Sequence, residues 1–262
     1  MDLGLNDKAV LVTASSAGIG KGIALAFARE GAKVMLMARR KDVLQRTRDD
    51  IAETCENAPE YYVGDMTNAD DINGAITEVT RRFGGLYALV NNTGGPSAGG
   101  FAQFTDADWI SAFELSLLSY VRTLRQALPI MAANGGGRVV NIASSSIRHA
   151  LDNLLLSNTF RMGVVGLTKT LAREYGRHNI LLNVIGPGKI ATERVNHLDS
   201  IRAGKLNLAL DEFQRRSAES IPLGRYGTPD ELARLAVFLG SEANTFITGQ
   251  CLLVDGGMVT AY

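Results

Sequence analysis

Seven short apolar runs, at 8–13, 33–38, 60–63, 86–90, 138–142, 180–185 and 251–254, are separated all along the chain by stretches of helical periodicity. Phe160, Val164, Leu167 and Leu171 show that periodicity: spaced by four, three and four, they share one helix face. Strand and helix in regular alternation require right-handed crossovers, and so predict a parallel sheet covered on both sides. The pattern is that of an α/β fold, a Rossmann-like, doubly wound, seven-stranded parallel sheet in three α/β/α layers. With 46% hydrophobic residues, a chain of 262 is long enough for one large core, so 1–262 reads as a single domain. Only 188–227 breaks the rhythm, as a polar and helical insertion before the helix that opens at Thr228-Pro229-Asp230-Glu231. In a doubly wound sheet that insertion lies above the carboxyl ends of the strands, where ligands bind, which makes it the candidate substrate lid.

Charge narrows the class of partner. Lys+Arg and Asp+Glu are 27 each, so no global field draws the chain to nucleic acid or to an anionic membrane, and a small-molecule substrate is expected. Cys55 and Cys251 lie far apart, with no CxxC pair and no clustered histidines, which argues against a disulfide framework and against a metal site. Residues 1–8 have neither the basic start nor the apolar stretch of a signal peptide, and no apolar run approaches membrane-spanning length. A cytoplasmic location is expected.

After the first strand comes Thr13-Ala14-Ser15-Ser16-Ala17-Gly18-Ile19-Gly20, followed by a helical pattern. Glycines at a strand-to-helix turn let backbone approach a pyrophosphate, and the helix start offers unpaired N–H groups at its positive dipole end. The end of the second strand selects the dinucleotide. A carboxylate there bonds the ribose 2′-hydroxyl of NAD, whereas arginine pairs with the 2′-phosphate of NADP. The sequence is Met37-Ala38-Arg39-Arg40-Lys41, with no carboxylate before Asp42, which favours NADP over NAD, Arg39 being the main contact and Arg40 its support.

These segments resemble the short-chain dehydrogenase/reductase family, in members similar to 3-oxoacyl-acyl-carrier-protein reductases. The first turn resembles the family's Thr-Gly-x-x-x-Gly-x-Gly, with Ala14 at the first glycine, and Asn91-Asn92-Thr93-Gly94 resembles its Asn-Asn-Ala-Gly. Asp65, Pro187-Gly188 and Val254-Asp255-Gly256-Gly257 match in family order across nearly the whole chain. By that resemblance Ser15, Ser16, Gly18, Ile19 and Gly20 surround the pyrophosphate and adenosine ribose. Asp65 and Met66 stand at the adenine, Asn91 and Gly94 on the adenosine side, and Pro187, Gly188, Ile190 and Thr192 near the nicotinamide amide. The family also implies a homo-oligomer, dimer or tetramer, built on the long helices at 106–133 and 152–177.

The catalytic positions depart from the family. It uses a serine after the fifth strand, a tyrosine and a lysine one helical turn apart, and an asparagine on the preceding helix. Ser144 matches the serine, but Ser157 stands at the tyrosine, Arg161 at the lysine and Ser116 at the asparagine. A phenol has a pKa near 10 that a nearby cation lowers, whereas an aliphatic hydroxyl sits at about 15.7, like water. Ser157 is thus a poor acid, while Arg161 keeps a permanent charge and a donor fork suited to ribose hydroxyls. His149 is the candidate substitute acid, with Tyr120 less favoured because it reads as core or interface. Asp152 reads as the cap of the following helix. The resemblance implies an NADP(H)-dependent oxidoreductase reducing a carbonyl or oxidising an alcohol. The changed residues leave two alternatives: dinucleotide binding without redox turnover, as a sensor or silent partner, and a non-redox lyase or isomerase.

Overall fold

The computed structural model describes residues 2–261. The elements run β1 (Ala9–Thr13), α1 (Gly18–Arg29), β2 (Lys33–Ala38), α2 (Lys41–Ala52), β3 (Glu60–Val63), α3 (Ala69–Phe83), β4 (Ala88–Asn91), α4 (Asp106–Phe113), α5 (Ser119–Ala133) and β5 (Gly137–Ile142). There follow α6 (Leu155–Tyr175), β6 (Ile180–Pro187), α7 (Glu193–Lys205), α8 (Leu210–Glu219), α9 (Pro229–Leu239) and β7 (Cys251–Val254). All seven strands are parallel in the order β3-β2-β1-β4-β5-β6-β7. The alternation of side chains along β1 feeds two cores at once. Val10 and Val12 pack with Ile23 and Phe27 of α1 on one face, while Leu11 joins Ile72, Ile76 and Leu128 on the other.

Two helices differ from the sequence expectation. Residues 106–133 form one rod, but α4 and α5 are joined by a π turn over Glu114–Leu118. α6 starts at Leu155 rather than 152, and Asp152 caps nothing: the cap position is Leu154, with no side-chain hydrogen bond. Asn158 does the fastening instead, its amide donating to the Leu151 carbonyl at 2.9 Å.

The insertion at 188–227 contains α7 and α8 on a closed neck, where Ala191 N–H donates to Gly227 O at 2.8 Å and Gly227 N–H to Lys189 O at 2.9 Å. Inside it, the buried Asp199 carboxylate accepts from the Tyr226 hydroxyl at 2.8 Å, and the Lys189 ammonium donates to Ser217. Burial pushes the Tyr226 phenol up to about 12, so this knot stays uncharged at the tyrosine. Among the described residues no helix is long and apolar enough to cross a membrane, and no three His, Cys, Asp or Glu side chains gather as metal ligands.

Candidate functional site

The connections after β1 and β4, neighbours in the sheet, leave for opposite sides, and the crevice between them is where doubly wound sheets bind ligands. A cavity of about 420 Å³ occupies it. Its walls are Ala14 and 16–19 after β1, 38–40 after β2, 64–66 after β3, 92–95 after β4, Leu115 of the π turn, and 192–194 at the start of α7.

The turn after β1 is held from both neighbouring strands. Ser15 is fully buried, its hydroxyl accepting the Met37 N–H at 3.0 Å. The Thr13 hydroxyl donates to Asn92 O at 2.7 Å, and the Asn92 amide donates to Ala14 O at 3.3 Å. Gly20 has to be glycine, because a Cβ there would stand 2.3 Å from the Ala14 carbonyl. Ala14 takes a φ of +45°, the left-handed region, which for a residue with a Cβ costs about 1–2 kcal/mol.

The start of α1 faces the cavity unguarded. Ala17 at its cap position gives no side-chain hydrogen bond, and its first turn holds no acidic residue. By contrast, Asn68, Thr105 and Thr228 cap α3, α4 and α9, each with acidic residues in the first turn. The free N–H groups and positive dipole end of α1 therefore remain available to an anion.

Arg39 projects from the end of β2, its side chain 77% exposed and Nη1 3.6 Å from Asp65 Oδ2. Burial acts to raise the Asp65 carboxyl, but Thr67, donating through N–H and hydroxyl at 2.8 Å each, and Arg39 together hold it below the usual carboxylate range. Ser16, Gly18, Ile19, Arg39, Arg40, Asp65, Met66, Gly94 and Thr192 line the cavity together.

The other expected coenzyme residues lie behind that wall. The Asn91 side chain does not line the cavity: it is fully buried, donating to Asn141 Oδ1 at 2.9 Å and accepting from the Thr123 hydroxyl at 2.7 Å. Asn92 takes the place at the cavity instead, because successive side chains change face at the end of a strand. Pro187 ends β6, paired with Val254, and Gly188 packs so tightly that a Cβ would fall 2.7 Å from Asp255 Cα. Ile190 is 2% exposed and sits in the core.

Beyond Gly94, at the ends of β5 and α5, lies a closed corner. Ser144 is half-buried, its hydroxyl oxygen accepting the Ser146 N–H at 3.1 Å. Ser157 is half-buried on α6, and Ser116 is fully buried in the π turn, its hydroxyl without a partner. Arg161, one helical turn after Ser157, is 4% exposed and points inward. Its Nη1 donates to the Tyr120 hydroxyl at 2.8 Å and to Ile142 O at 3.0 Å, and its Nη2 to the Thr93 hydroxyl at 3.1 Å and Gly94 O at 3.4 Å. Only Nε–H lacks an acceptor. Tyr120 is buried completely and donates to Ile142 O at 2.7 Å, so its proton is already engaged. His149 is half-buried with Nδ1 sealed and unpartnered.

A family model described as enoyl-(acyl carrier protein) reductase matches residues 13–259. A 3-oxoacyl-acyl-carrier-protein reductase of Thermotoga maritima is 29% identical, with 97% of this chain and 99% of the relative covered. A D-beta-hydroxybutyrate dehydrogenase of Cupriavidus necator is 34% identical over the same shares of the two chains. The chain belongs to the short-chain dehydrogenase/reductase family of oxidoreductases. Among solved structures, the L-sorbose reductase of Gluconobacter frateurii, complexed with NADPH and L-sorbose, superposes with a TM-score of 0.95 at 32% identity, each chain covered completely. The family order β3-β2-β1-β4-β5-β6-β7 explains why the crevice falls between the turns that the sequence marks. Sequence reasoning missed Asn92, Thr93, Gly95, Leu115 and Arg194. Arg194 carried a signal, a cation opening a helix against its dipole.

Proposed function

We propose that this short-chain oxidoreductase binds NADP(H) in the 420 Å³ cleft and interconverts a carbonyl and an alcohol, with Ser157 and Arg161 in place of the usual tyrosine and lysine. The carrying observation is the uncapped start of α1, opening on a cavity whose β2 side presents Arg39 and Arg40. The residues fit a dinucleotide: N–H groups for the pyrophosphate, Arg39 for a 2′-phosphate, and Asp65 with Met66 beside the adenine. The NADPH complex of the sorbose reductase supports the same choice. When bound, the coenzyme supplies or accepts the hydride.

The remaining roles belong to this chain's residues. Because the Ser144 oxygen already accepts from Ser146 N–H, its own proton is free to orient a carbonyl oxygen. Arg161 braces Thr93 and Gly94 from behind, so Gly94 presents a fixed backbone wall. Ser157 is too short and too weak an acid to replace a phenol, and with Tyr120 engaged, His149 is the remaining titratable candidate after Ser144. The insertion 188–227 acts as the substrate lid. The half-exposed Phe113, packed with Trp109 against Phe160, forms an apolar face on α4 and α6 suited to association as a dimer or tetramer.

A second reading, coenzyme binding without turnover, is favoured by one observation: every Nη hydrogen of Arg161 is turned into the protein. Calorimetry with NADPH and NADH, followed by nicotinamide absorbance with a panel of ketones and aldehydes, separates the two. We expect NADPH to bind more tightly than NADH, with oxidation above the protein-free rate. Tight binding with no oxidation selects the second reading, and no affinity for either coenzyme overturns both.

A further inference from the structure

Arg194 stands in the first turn of α7, where a cation opposes the helix dipole, and no carboxylate of the described residues lies within ion-pair distance of it. Among the described residues its side chain makes one hydrogen bond, from Nη2 to Pro96 O at 3.1 Å. The guanidinium lies across Gly95 so closely that a Cβ there would meet Nη2 at 2.4 Å. On the other side of the same loop, Arg161 donates to Gly94 O and Thr93, also without a carboxylate. Two guanidiniums thus bracket the 93–96 turn at one end of the cavity. Although Arg194 keeps an exposed face, desolvation and then repulsion from Arg161 hold it below the usual arginine range. Glu193 shares the cavity wall but pairs with neither. A fork with most of its N–H groups free, beside a second cation, is an incomplete electrostatic arrangement that an oxyanion completes.

We propose that Arg194, with Arg161 as the charge behind the wall, recognises an oxyanion, carboxylate or phosphate, on the small-molecule substrate. The site deepens the reading of the cleft as a coenzyme site and rests on it for the substrate's position. Arg39 and Arg40 face the cavity from the ends of β2, and the start of α1 offers its own N–H groups, so the coenzyme phosphates have partners apart from Arg194.

Calorimetry on the full chain tests this with pyruvate and its methyl ester, which differ in charge but share the ketone. Titrations of acid and ester are run with saturating NADP+, which cannot reduce the ketone, and without coenzyme, and NADPH is titrated separately, on the natural protein, Arg194→Gln and Arg194→Lys. The acid is expected to bind about tenfold or more tightly than the ester, a preference that Arg194→Gln removes and Arg194→Lys partly keeps. NADPH affinity should stay within about threefold in Arg194→Gln, since its phosphates are held elsewhere. Equal binding of acid and ester to the natural protein overturns the proposal, as does a preference that survives Arg194→Gln. A fall in NADPH affinity matching the fall in acid affinity also overturns it, by assigning Arg194 to the coenzyme pyrophosphate. If NADPH fails to bind at all, the coenzyme reading fails, and an acid preference lost in Arg194→Gln without coenzyme still supports the oxyanion site.

Discussion

The cleft between β1 and β4 and the corner between β5 and α6 are both built from buried polar groups at the carboxyl ends of one sheet, yet those groups face opposite ways. At the cleft, the α1 start is uncapped and Arg39 is mostly exposed, so donors are left over for a ligand. At the corner, Arg161, Tyr120, Thr93 and the Ile142 carbonyl satisfy one another. Binding in this fold depends on backbone direction, glycine clearance and helix dipoles, which persist while side chains change. Proton transfer depends on a single positioned acid and the cation beside it, and is weakened when either is replaced. The two functions can therefore come apart within a single domain.

The sharpest way to break that contrast is to rebuild the corner. Ser157→Tyr with Arg161→Lys should raise the rate of NADPH oxidation by about 10²-fold or more, the usual contribution of a positioned general acid. Single-turnover absorbance of both proteins with the same ketone measures it. Equal rates would mean that the natural corner already carries an efficient acid. Next in size, Arg39→Ala should weaken NADPH by about 10- to 100-fold, through loss of a charge-assisted hydrogen bond, and leave NADH unchanged. Parallel loss for both coenzymes in calorimetry would remove Arg39 from the 2′-phosphate.

A third substitution closes the open region rather than opening the closed one. Ala17 occupies the cap position of α1 with extended backbone, φ −162° and ψ 172°, which suits an aspartate cap. Ala17→Asp should add about 1 kcal/mol of stability in urea denaturation while lowering NADPH affinity about tenfold, as its carboxylate occupies the N–H groups and repels phosphate. Stability gained without affinity lost would show that the α1 start is not the pyrophosphate site.

The open region was the more legible of the two. Its signals are local: the Gly18–Gly20 spacing, Arg39 and Arg40 directly after a strand, and Asp65 after the next. The seven strands were equally plain, because a period of two or an unbroken apolar run survives any surroundings. Which of Asn91 and Asn92 turns its side chain to the cavity is not legible, since adjacent residues swap faces at a strand end, where the pattern gives no parity. The π turn at Ser116 inserts a one-residue shift with no composition of its own. Arg161 meets Tyr120 across 41 positions of sequence, a contact set by how α6 packs on α5 and invisible in either segment.

The smallest effect concerns a helix start that is closed by its own side chains, the counterpart of α1. At α9, Glu231 accepts the Thr228 N–H at 2.8 Å and pairs with Arg225 at 2.6 Å. The hydrogen bond from Arg225 first, and then the Thr228 N–H, hold its carboxyl down at about 2, against 4.5 when unperturbed. A depressed folded-state pKa gives stability that is whole above the unfolded value and is lost as pH falls from about 4.5 toward 2. Glu231→Gln retains an acceptor for Thr228 but cannot titrate or pair with Arg225. The thermal midpoint of the natural protein should exceed that of Glu231→Gln by a small margin at pH 7, and the margin should shrink below about pH 4.5. A constant margin down to pH 3 would show that the Arg225 pair adds nothing in solution, leaving the neutral hydrogen bond to close α9.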